Sequence, residues 1–255
     1  MRRIEKHYGA IHALRGVDLT LGAGEVLGLV GDNAAGKSTL TKILAGAEVP
    51  DAGEILMDGV PTRFESPADA RRHRIEMVYQ DLSLCDTIDV AGNLFLGREP
   101  VRRRLGLPLL DGKRMHALAA EILEGLDINV PSTRLKVGNL SGGQRQSIAI
   151  GRAAAFEPRV LIMDEPTSAL AVAEVEAVLH LIRKVSEAGV SVILITHRLQ
   201  DVFEVCHRIM VLYEGQNVAE RRIDETSLED LIRLIVADRR FAAGRVRQTE
   251  SGPRA

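Results

Sequence analysis

The sequence has few aromatic residues and few cysteines, and each shortage excludes a class of protein. Aromatic side chains make up 3% of the 255 residues and none is tryptophan, which argues against a surface that binds nucleic acid by stacking on its bases. Cys85 and Cys206 are the two cysteines, too few for a disulfide framework. We interpret both as buried free thiols in a protein of a reducing compartment.

The sequence also lacks an excess of charge and any long apolar run. Its formal net charge is −2, so no overall positive field attracts nucleic acid. The longest apolar runs, 26–30 and 190–195, have the length of buried strands and fall short of the ~18 residues that span a bilayer. The charged residues 1–7 do not resemble a signal peptide. We therefore expect a cytoplasmic protein.

Short apolar runs alternate with helical patterns, which predicts an α/β fold with a parallel sheet. Strands are predicted at 26–30, 54–57, 75–79, 160–163, 190–195 and 209–212, with tight turns at Asp58-Gly59 and Glu214-Gly215. Between these segments, residues 82–158 have helical spacing, with one helix after Asp111 and another from Ser141 to about Phe156. The pattern predicts a helical subdomain inserted at about residues 83–157.

One turn carries a phosphate-binding pattern. Residues Gly31, Asp32, Asn33, Ala34, Ala35, Gly36, Lys37 and Ser38 fit G-x-x-x-x-G-K-[ST] between a predicted strand and a predicted helix. Backbone N–H groups of such a loop face phosphate oxygens, and the helix start favours negative charge. Lys37 is expected to reach the β- and γ-phosphates, and Ser38 to bind Mg²⁺. The alternative is a glycine-rich helix start without a ligand.

Polar residues follow three other predicted strands. Asp164 and Glu165 follow 160–163, Gln80 follows 75–79, and His197 follows 190–195. Ligands of open parallel sheets bind beyond the carboxyl ends of the strands. Asp164 is expected to hold Mg²⁺ through water, and Glu165 to polarise the attacking water as general base. Taken singly, the two acids could cap a loop, and Gln80 or His197 could be an ordinary surface residue.

A second anion site is predicted at Leu140-Ser141-Gly142-Gly143-Gln144. Ser141 and Gln144 have the spacing of a capping box, which starts a helix. A capping box does not need two successive glycines, and these expose backbone N–H groups at the helix start. One nucleotide cannot easily use both phosphate-binding helix starts of one chain.

Taken together, these motifs resemble the ATP-binding cassette family over about residues 4–220. The resemblance implies a P-loop NTPase with a RecA-like core, an antiparallel β subdomain and an inserted helical subdomain, over residues 1–236, followed by a flexible tail at 237–255. In that family two cassettes dimerise head to tail and hold ATP between the phosphate loop of one and the signature of the other. The resemblance therefore implies a homodimer in which a second copy supplies Ser141, Gly142, Gly143 and Gln144.

The resemblance also assigns roles to single residues. It makes Gln80 a Mg²⁺ ligand that senses the membrane partner, and His197 a contact of the γ-phosphate. It extends the nucleotide-binding run to Thr39 and places Tyr8 where an aromatic residue stacks on adenine.

Within the family, residues 31–40, 78–81 and 93–99 are similar to the monosaccharide-importer branch, with ribose, xylose or fructose as solute. This implies an ATPase that energises import, bound to permease subunits at the inner face of the membrane, with a periplasmic solute-binding protein as an indirect partner. The alternative is a non-transport cassette acting on nucleic acid or the ribosome, but the chain has no long coiled-coil insertion. We interpret Arg102-Arg103-Arg104 as a solvated loop rather than a phosphate-binding patch.

Two features depart from the family pattern. Ser168-Ala169-Leu170 is followed by Ala171, where relatives usually have Asp, so an acid that acts across the dimer is missing. Relatives also have an edge strand before the Tyr8 region, where this sequence has seven residues. We expect a weakened sheet edge and weaker adenine stacking.

Overall fold

The computed structural model of the chain describes residues 1–104 and 107–235. It divides into two compact units. The first comprises residues 1–21, 26–70 and the described residues from 194 onward, and the second comprises residues 22–25 and 71–193. The tail predicted at 237–255 lies outside the described residues.

The elements follow the predicted α/β pattern. The strands are β1 (Arg2–Tyr8), β2 (Ile11–Val17), β3 (Val26–Gly31), β4 (Ala52–Met57), β5 (Val60–Thr62), β6 (Ile75–Val78), β7 (Val101–Arg104), β8 (Leu107–Leu110), β9 (Val160–Asp164), β10 (Ser191–Ile195), β11 (Arg208–Tyr213) and β12 (Gln216–Arg222). The helices are α1 (Lys37–Leu44), α2 (Pro67–Arg72), α3 (Val90–Leu94), α4 (Gly112–Gly125), α5 (Gly142–Ala154), α6 (Val172–Glu187) and α7 (Leu199–Val205), and residues 228–235 are also helical.

The first unit contains an antiparallel sheet of order β2-β1-β4-β5. Strand β1 pairs with β2 on one side and with β4 on the other, and it buries Ile4. The expectation of a weakened edge near Tyr8 is therefore wrong, because residues 2–8 supply a strand that is internal to the sheet. Asp58 and Gly59 have φ angles of 51° and 78°, which makes the predicted tight turn between β4 and β5.

The first unit also contains the buried strand β3, which leads into the phosphate-binding pattern. Residues 26–30 of this strand are all buried, as a continuous apolar run predicts for a strand covered on both faces. Strand β3 pairs in parallel with β11, and β11 pairs in antiparallel with β12 through the predicted turn at Glu214 and Gly215.

The second unit combines parallel strands with helices. Strand β6 pairs with β9 from Ile75–Val160 to Val78–Met163. Strand β10 begins in this unit, where Ser191 N donates to Arg159 O at 3.0 Å. The two predicted helices are confirmed: α4 begins after Asp111, whose carboxylate accepts from Arg114 N at 3.1 Å, and α5 packs on α3 and α6.

One β element of the second unit was not predicted. Strands β7 and β8 form an antiparallel hairpin within the segment predicted as a helical subdomain, with Arg102 opposite Leu109. The interpretation of Arg102-Arg103-Arg104 as a loop is therefore wrong, although Arg102 and Arg103 are exposed. Both strands are largely exposed, so the alternation of buried and exposed residues that identifies a strand is missing here. Across 1–104 and 107–235, the helices lack the length and hydropathy needed to cross a bilayer.

The two free thiols differ in their surroundings. Cys206 is buried as predicted, and burial raises the pKa of its thiol. Cys85 is only half-buried, and the hydrogen bond with Thr87 lowers its pKa. The prediction that both thiols are buried is therefore wrong for Cys85.

This difference predicts unequal thiol reactivity. Because the thiolate is the reactive form, Cys85 should react with a disulfide reagent at neutral pH in the folded protein, and Cys206 only after denaturation. Counting thiols with the reagent before and after denaturant checks this, and Cys85→Ser should remove the fast phase. A fast phase that persists in Cys85→Ser would contradict the assignment.

Candidate active site

The phosphate-binding pattern at residues 31–38, here called the phosphate loop, lies in the first unit between β3 and α1. Ala34 and Gly36 have φ angles of 66° and 101°, both in the left-handed region. The Ala35 N–H donates to Asp32 O at 3.1 Å, and Gly36 is the N-cap of α1. The chain therefore turns tightly and enters the helix directly, which is the context in which this motif binds phosphate.

Close backbone packing fixes the phosphate loop. A Cβ atom on Gly36 would lie 2.7 Å from Leu14 Cδ2 and 2.8 Å from Ala13 O. On the other side, the Gly215 N–H donates to Ala35 O at 3.0 Å. Strand β2 and the turn between β11 and β12 thus hold the loop, and a side chain at position 36 does not fit.

Lys37 folds its side chain back over the phosphate loop. Its Nζ donates to Gly31 O at 2.7 Å and to Asp32 O at 2.9 Å. The ammonium group is therefore held against the loop by two carbonyl oxygens. Ser38, on the first turn of α1, is exposed.

His197 and Tyr8 also belong to the first unit. His197 is exposed and follows β10, beside the buried Thr196, whose hydroxyl accepts from Arg198 N at 3.0 Å. Tyr8 is 42% exposed, and Lys6 Nζ lies 5.7 Å from its ring centroid. An exposed ring suits stacking on a base, and the role of Tyr8 stays a prediction.

In the second unit, the residues predicted for Mg²⁺ and water activation lie at one end of β6 and β9. Val78 pairs with Met163, so Gln80 and the pair Asp164 and Glu165 follow at the same end. Glu165 has a φ angle of 52°, which costs a residue with a side chain about 1–2 kcal/mol. Backbone strain of this kind is concentrated at functional sites.

A hydrogen-bonded turn holds Glu165 in this conformation. The hydroxyl of Ser168 donates to Glu165 O at 3.1 Å, and the backbone N–H of Ser168 lies 3.3 Å from the same oxygen. Both acids are half-buried behind the buried residues of β9. The backbone that carries the Glu165 side chain is therefore fixed.

The predicted signature begins α5 as a capping box. Ser141 Oγ accepts from Gln144 N at 3.3 Å, and Gln144 Oε1 accepts from Ser141 N at 3.1 Å. Gly142 is exposed and Gly143 is buried. Both halves of the capping box are therefore present, and the two glycines follow directly.

One contact at the start of α5 was not predicted. The carboxylate of Glu174, on α6, accepts from the Gly143 N–H at 3.0 Å and from Ser141 Oγ at 3.1 Å. The signal available was the spacing Ala171-x-x-Glu174, which resembles a capping box at the start of α6. Nothing local in the sequence links Glu174 to α5.

Comparisons with known proteins agree with these motifs. The family model described as ABC transporter matches residues 14–168. The chain is 40% identical over 246 residues to the xylose/arabinose import ATP-binding protein XylG of Sulfolobus acidocaldarius, covering 96% of this chain and 95% of that protein. It is 44% identical over 236 residues to the ribose import ATP-binding protein RbsA 1 of Rubrobacter xylanophilus, covering 92% of this chain. The chain spans 46% of that second protein, about half its length.

Solved structures with the same architecture support the predicted fold. One is the ADP conformation of an ATP-binding cassette of an ABC transporter, with a TM-score of 0.76 and 25% identity over 92% of this chain and 93% of that chain. Another is a dimeric bacterial ABC transporter cassette, with a TM-score of 0.72 and 26% identity over 87% of this chain and 97% of that chain. The predicted P-loop NTPase fold is confirmed.

Removing the ammonium group of Lys37 should abolish most nucleotide binding. Because a charge-assisted bond to phosphate is worth up to about 3 kcal/mol, Lys37→Ala should weaken ATP binding about 100-fold. Titration with a fluorescent ATP analogue measures this. Lys42→Ala, which removes an exposed lysine from the same helix, is the matched control and should bind normally. Equal loss in both variants would contradict the role of Lys37.

Proposed function

Because the chain belongs to the ABC transporter family, we propose that it binds and hydrolyses ATP to energise import of a small solute, a monosaccharide. The observation that carries this proposal is that one chain has two separate glycine-rich helix starts of the kind that suits phosphate. One is the phosphate loop with Lys37, and the other is the start of α5 with Gly142 and Gly143. The relatives named for xylose/arabinose and ribose import support the solute class.

Two copies of the chain are needed to use both helix starts on one nucleotide. In a symmetric dimer the phosphate loop of one copy faces the signature of the other, and symmetry creates two such sites. The similar dimeric cassette supports the formation of a dimer. Dimerisation is then part of the chemistry, because each site is incomplete without the other copy.

Binding of ATP begins at the phosphate loop. Lys37 Nζ, now bonded to the carbonyl oxygens of Gly31 and Asp32, exchanges these partners for β- and γ-phosphate oxygens. Mg²⁺ prefers hard oxygen ligands, and the Ser38 hydroxyl, the Asp164 carboxylate and the Gln80 amide each offer one. When bound, Mg²⁺ supplies positive charge that offsets the charge of the phosphates.

Hydrolysis uses the carboxylate of Glu165. It accepts a proton from a water molecule whose oxygen bonds to the γ-phosphorus, while the bond from that phosphorus to the bridging oxygen breaks to give ADP and phosphate. The imidazole of His197 contacts the γ-phosphate and orients it. Tyr8 stacks on the adenine ring.

Replacing the general base should separate binding from turnover. Glu165→Gln keeps the shape of the side chain but cannot accept the proton, so hydrolysis should fall at least about 100-fold while ATP binding persists. The ATP-bound dimer should then accumulate and elute as a dimer in size-exclusion chromatography. Glu176→Gln makes the same change at an exposed position of α6 and should hydrolyse ATP normally. Normal turnover in Glu165→Gln would show that another residue is the base.

A cleft next to Gln80 offers a surface for the permease. Its volume is about 300 Å³ and its lining includes Tyr79, Leu96, Arg98 and Phe156. Leu96 is 52% exposed and Tyr79 41% exposed. Arg98 is fixed over the Phe156 ring at 4.3 Å and donates to Glu76 at 2.6 Å. Exposed apolar side chains around a fixed charge suit a protein partner.

The permease is the occupant that fits this cleft best. Tyr79 directly precedes Gln80, the residue that resemblance connects with the membrane partner, and relatives named as import ATP-binding proteins support such a partner. The chain then works at the inner face of the membrane, held by the permease. A periplasmic solute-binding protein delivers the sugar on the other side.

A charge in this cleft should uncouple the chain from the permease. Leu96→Asp should leave ATP hydrolysis by the isolated chain within about twofold, because an exposed substitution has little effect on folding. Co-purification with the permease from membranes should be lost. Val60→Asp, at an exposed position outside the cleft, should co-purify normally. Retention of Leu96→Asp on the permease would assign the contact to another surface.

A further inference from the structure

At the start of α5, the groups predicted to bind an anion are already bonded to a carboxylate of the same chain. Glu174 Oε1 accepts from the Gly143 N–H at 3.0 Å and from the Ser141 hydroxyl at 3.1 Å. Glu174 Oε2 accepts from the Ala171 N–H at 3.2 Å. All four residues belong to the second unit, and three donors thus converge on one side chain.

The fit between Glu174 and the helix start is close. A Cβ atom on Gly143 would lie 2.7 Å from Glu174 Cγ, so only glycine leaves room for the side chain there. The backbone N–H groups of Gly143 and Ala171, with the Ser141 hydroxyl, lower the pKa of Glu174. The group is therefore an anion at neutral pH, like a phosphate oxygen.

Glu174 also caps its own helix, α6, at Ala171. In a complete capping box the N-cap side chain accepts from the N3 backbone, and the N3 acid accepts from the N-cap backbone. Ala171 has no side-chain acceptor, so only the half made by Glu174 is present. One carboxylate oxygen holds α6, and the other is available to α5. Position 171 has no acid, but the carboxylate of Glu174 lies next to it, where it accepts from the Ala171 N–H.

We propose that Glu174 competes with the γ-phosphate for the donors at the signature and must withdraw when a second copy brings ATP. This inference rests on the ATP-bridged dimer proposed above. A phosphate oxygen needs the same donors, the Gly143 N–H and the Ser141 hydroxyl, and each has one hydrogen to give. Two anions in contact also repel, so the carboxylate and the phosphate exclude each other.

Glu174 is therefore a positioning residue with two effects. It keeps Ser141 and Gly143 oriented as an anion requires. It also makes formation of the dimer less favourable, because its bonds to these residues must break first. The phosphate loop has no part in this exchange. The inference thus predicts a change in dimer formation and none in the binding of ATP to a single chain.

The test compares dimerisation of variants that cannot hydrolyse ATP. The reference is Glu165→Gln, and the test variant combines Glu165→Gln with Glu174→Ala. Analytical ultracentrifugation in ATP and Mg²⁺ measures the dimer Kd, and a fluorescent ATP analogue measures nucleotide binding by the dilute monomer. We expect the dimer Kd to fall at least about tenfold, because two carboxylates are removed from each dimer. Monomer binding should stay within about twofold.

Two further variants make the result specific. Glu176→Ala in the same background removes a negative charge from an exposed position of α6 and should leave the dimer Kd unchanged. Glu174→Gln keeps the hydrogen-bond acceptor but removes the charge, so its dimer Kd should lie between those of the reference and Glu174→Ala. If thermal unfolding shows that Glu174→Ala is unfolded, Glu174→Gln carries the test with the same direction.

The outcomes separate this inference from the function on which it rests. If the reference dimerises in ATP but the Glu174 variants have an equal or higher dimer Kd, the inference is overturned and the proposed function stands. If the reference itself stays monomeric in ATP, the ATP-bridged dimer is absent and both are overturned. A lower dimer Kd with weakened monomer binding would also overturn it, because the phosphate loop would then be involved.

Discussion

The site depends on backbone segments that approach each other more closely than any side chain allows. A Cβ atom on Gly31 would lie 2.1 Å from Leu212 O, and a Cβ atom on Gly215 would lie 2.5 Å from Ala13 O. With Gly36, these glycines let β2, β11 and the phosphate loop pack backbone against backbone in the first unit. The shape of the phosphate loop is therefore imposed by packing.

The two helix starts expose the same kind of backbone N–H groups, but the charged side chain next to them differs. Every helix begins with N–H groups that lack an intrahelical acceptor. At α1, the ammonium group of Lys37 donates to two carbonyl oxygens of the phosphate loop. At α5, a carboxylate of the same chain already bonds Gly143. An anion that binds at α5 therefore has to replace the Glu174 carboxylate, which is not the case at α1.

The sequence predicted those elements whose signals are local. Strand β3 follows from a continuous apolar run, α4 from the cap at Asp111, and the phosphate loop from its glycines and lysine. Hairpin β7–β8 was missed because both strands are largely exposed, so neither shows the alternation by which strands are recognised. The weakened edge near Tyr8 was wrongly expected because strand pairing is decided by partners elsewhere in the chain.

The site residues also differ in whether a local sequence signal or a distant contact places them. Gln80, Asp164 and Glu165 lie together because parallel pairing of β6 and β9 aligns the strand ends, which the sequence pattern anticipates. The contact between Glu174 and Gly143 joins residues 31 positions apart. Such a contact depends on how α5 and α6 pack, and no spacing rule reveals it. The roles of Tyr8 and His197 are likewise set by ligand contacts that follow from no local pattern.

The segment from Glu165 to Glu174 connects the two proposals physically. In the proposed function its first residue is the general base, and in the further inference its last residue holds the donors at the signature. Between them, Ser168 donates to Glu165 O, and Leu170 approaches Gly142, where a Cβ atom would lie 3.6 Å from Leu170 Cδ2. Ten residues thus join the carboxylates of two different sites.

This connection offers a route for coupling that does not need an acid at position 171. Coupling between sites requires an element with two discrete arrangements that both sites bias. In the further inference Glu174 has two such arrangements. The observed one is bonded to Gly143, and the proposed one is withdrawn when a γ-phosphate arrives. The other end of the segment is fixed, because Ser168 donates to Glu165 O and the backbone of Glu165 has a positive φ angle.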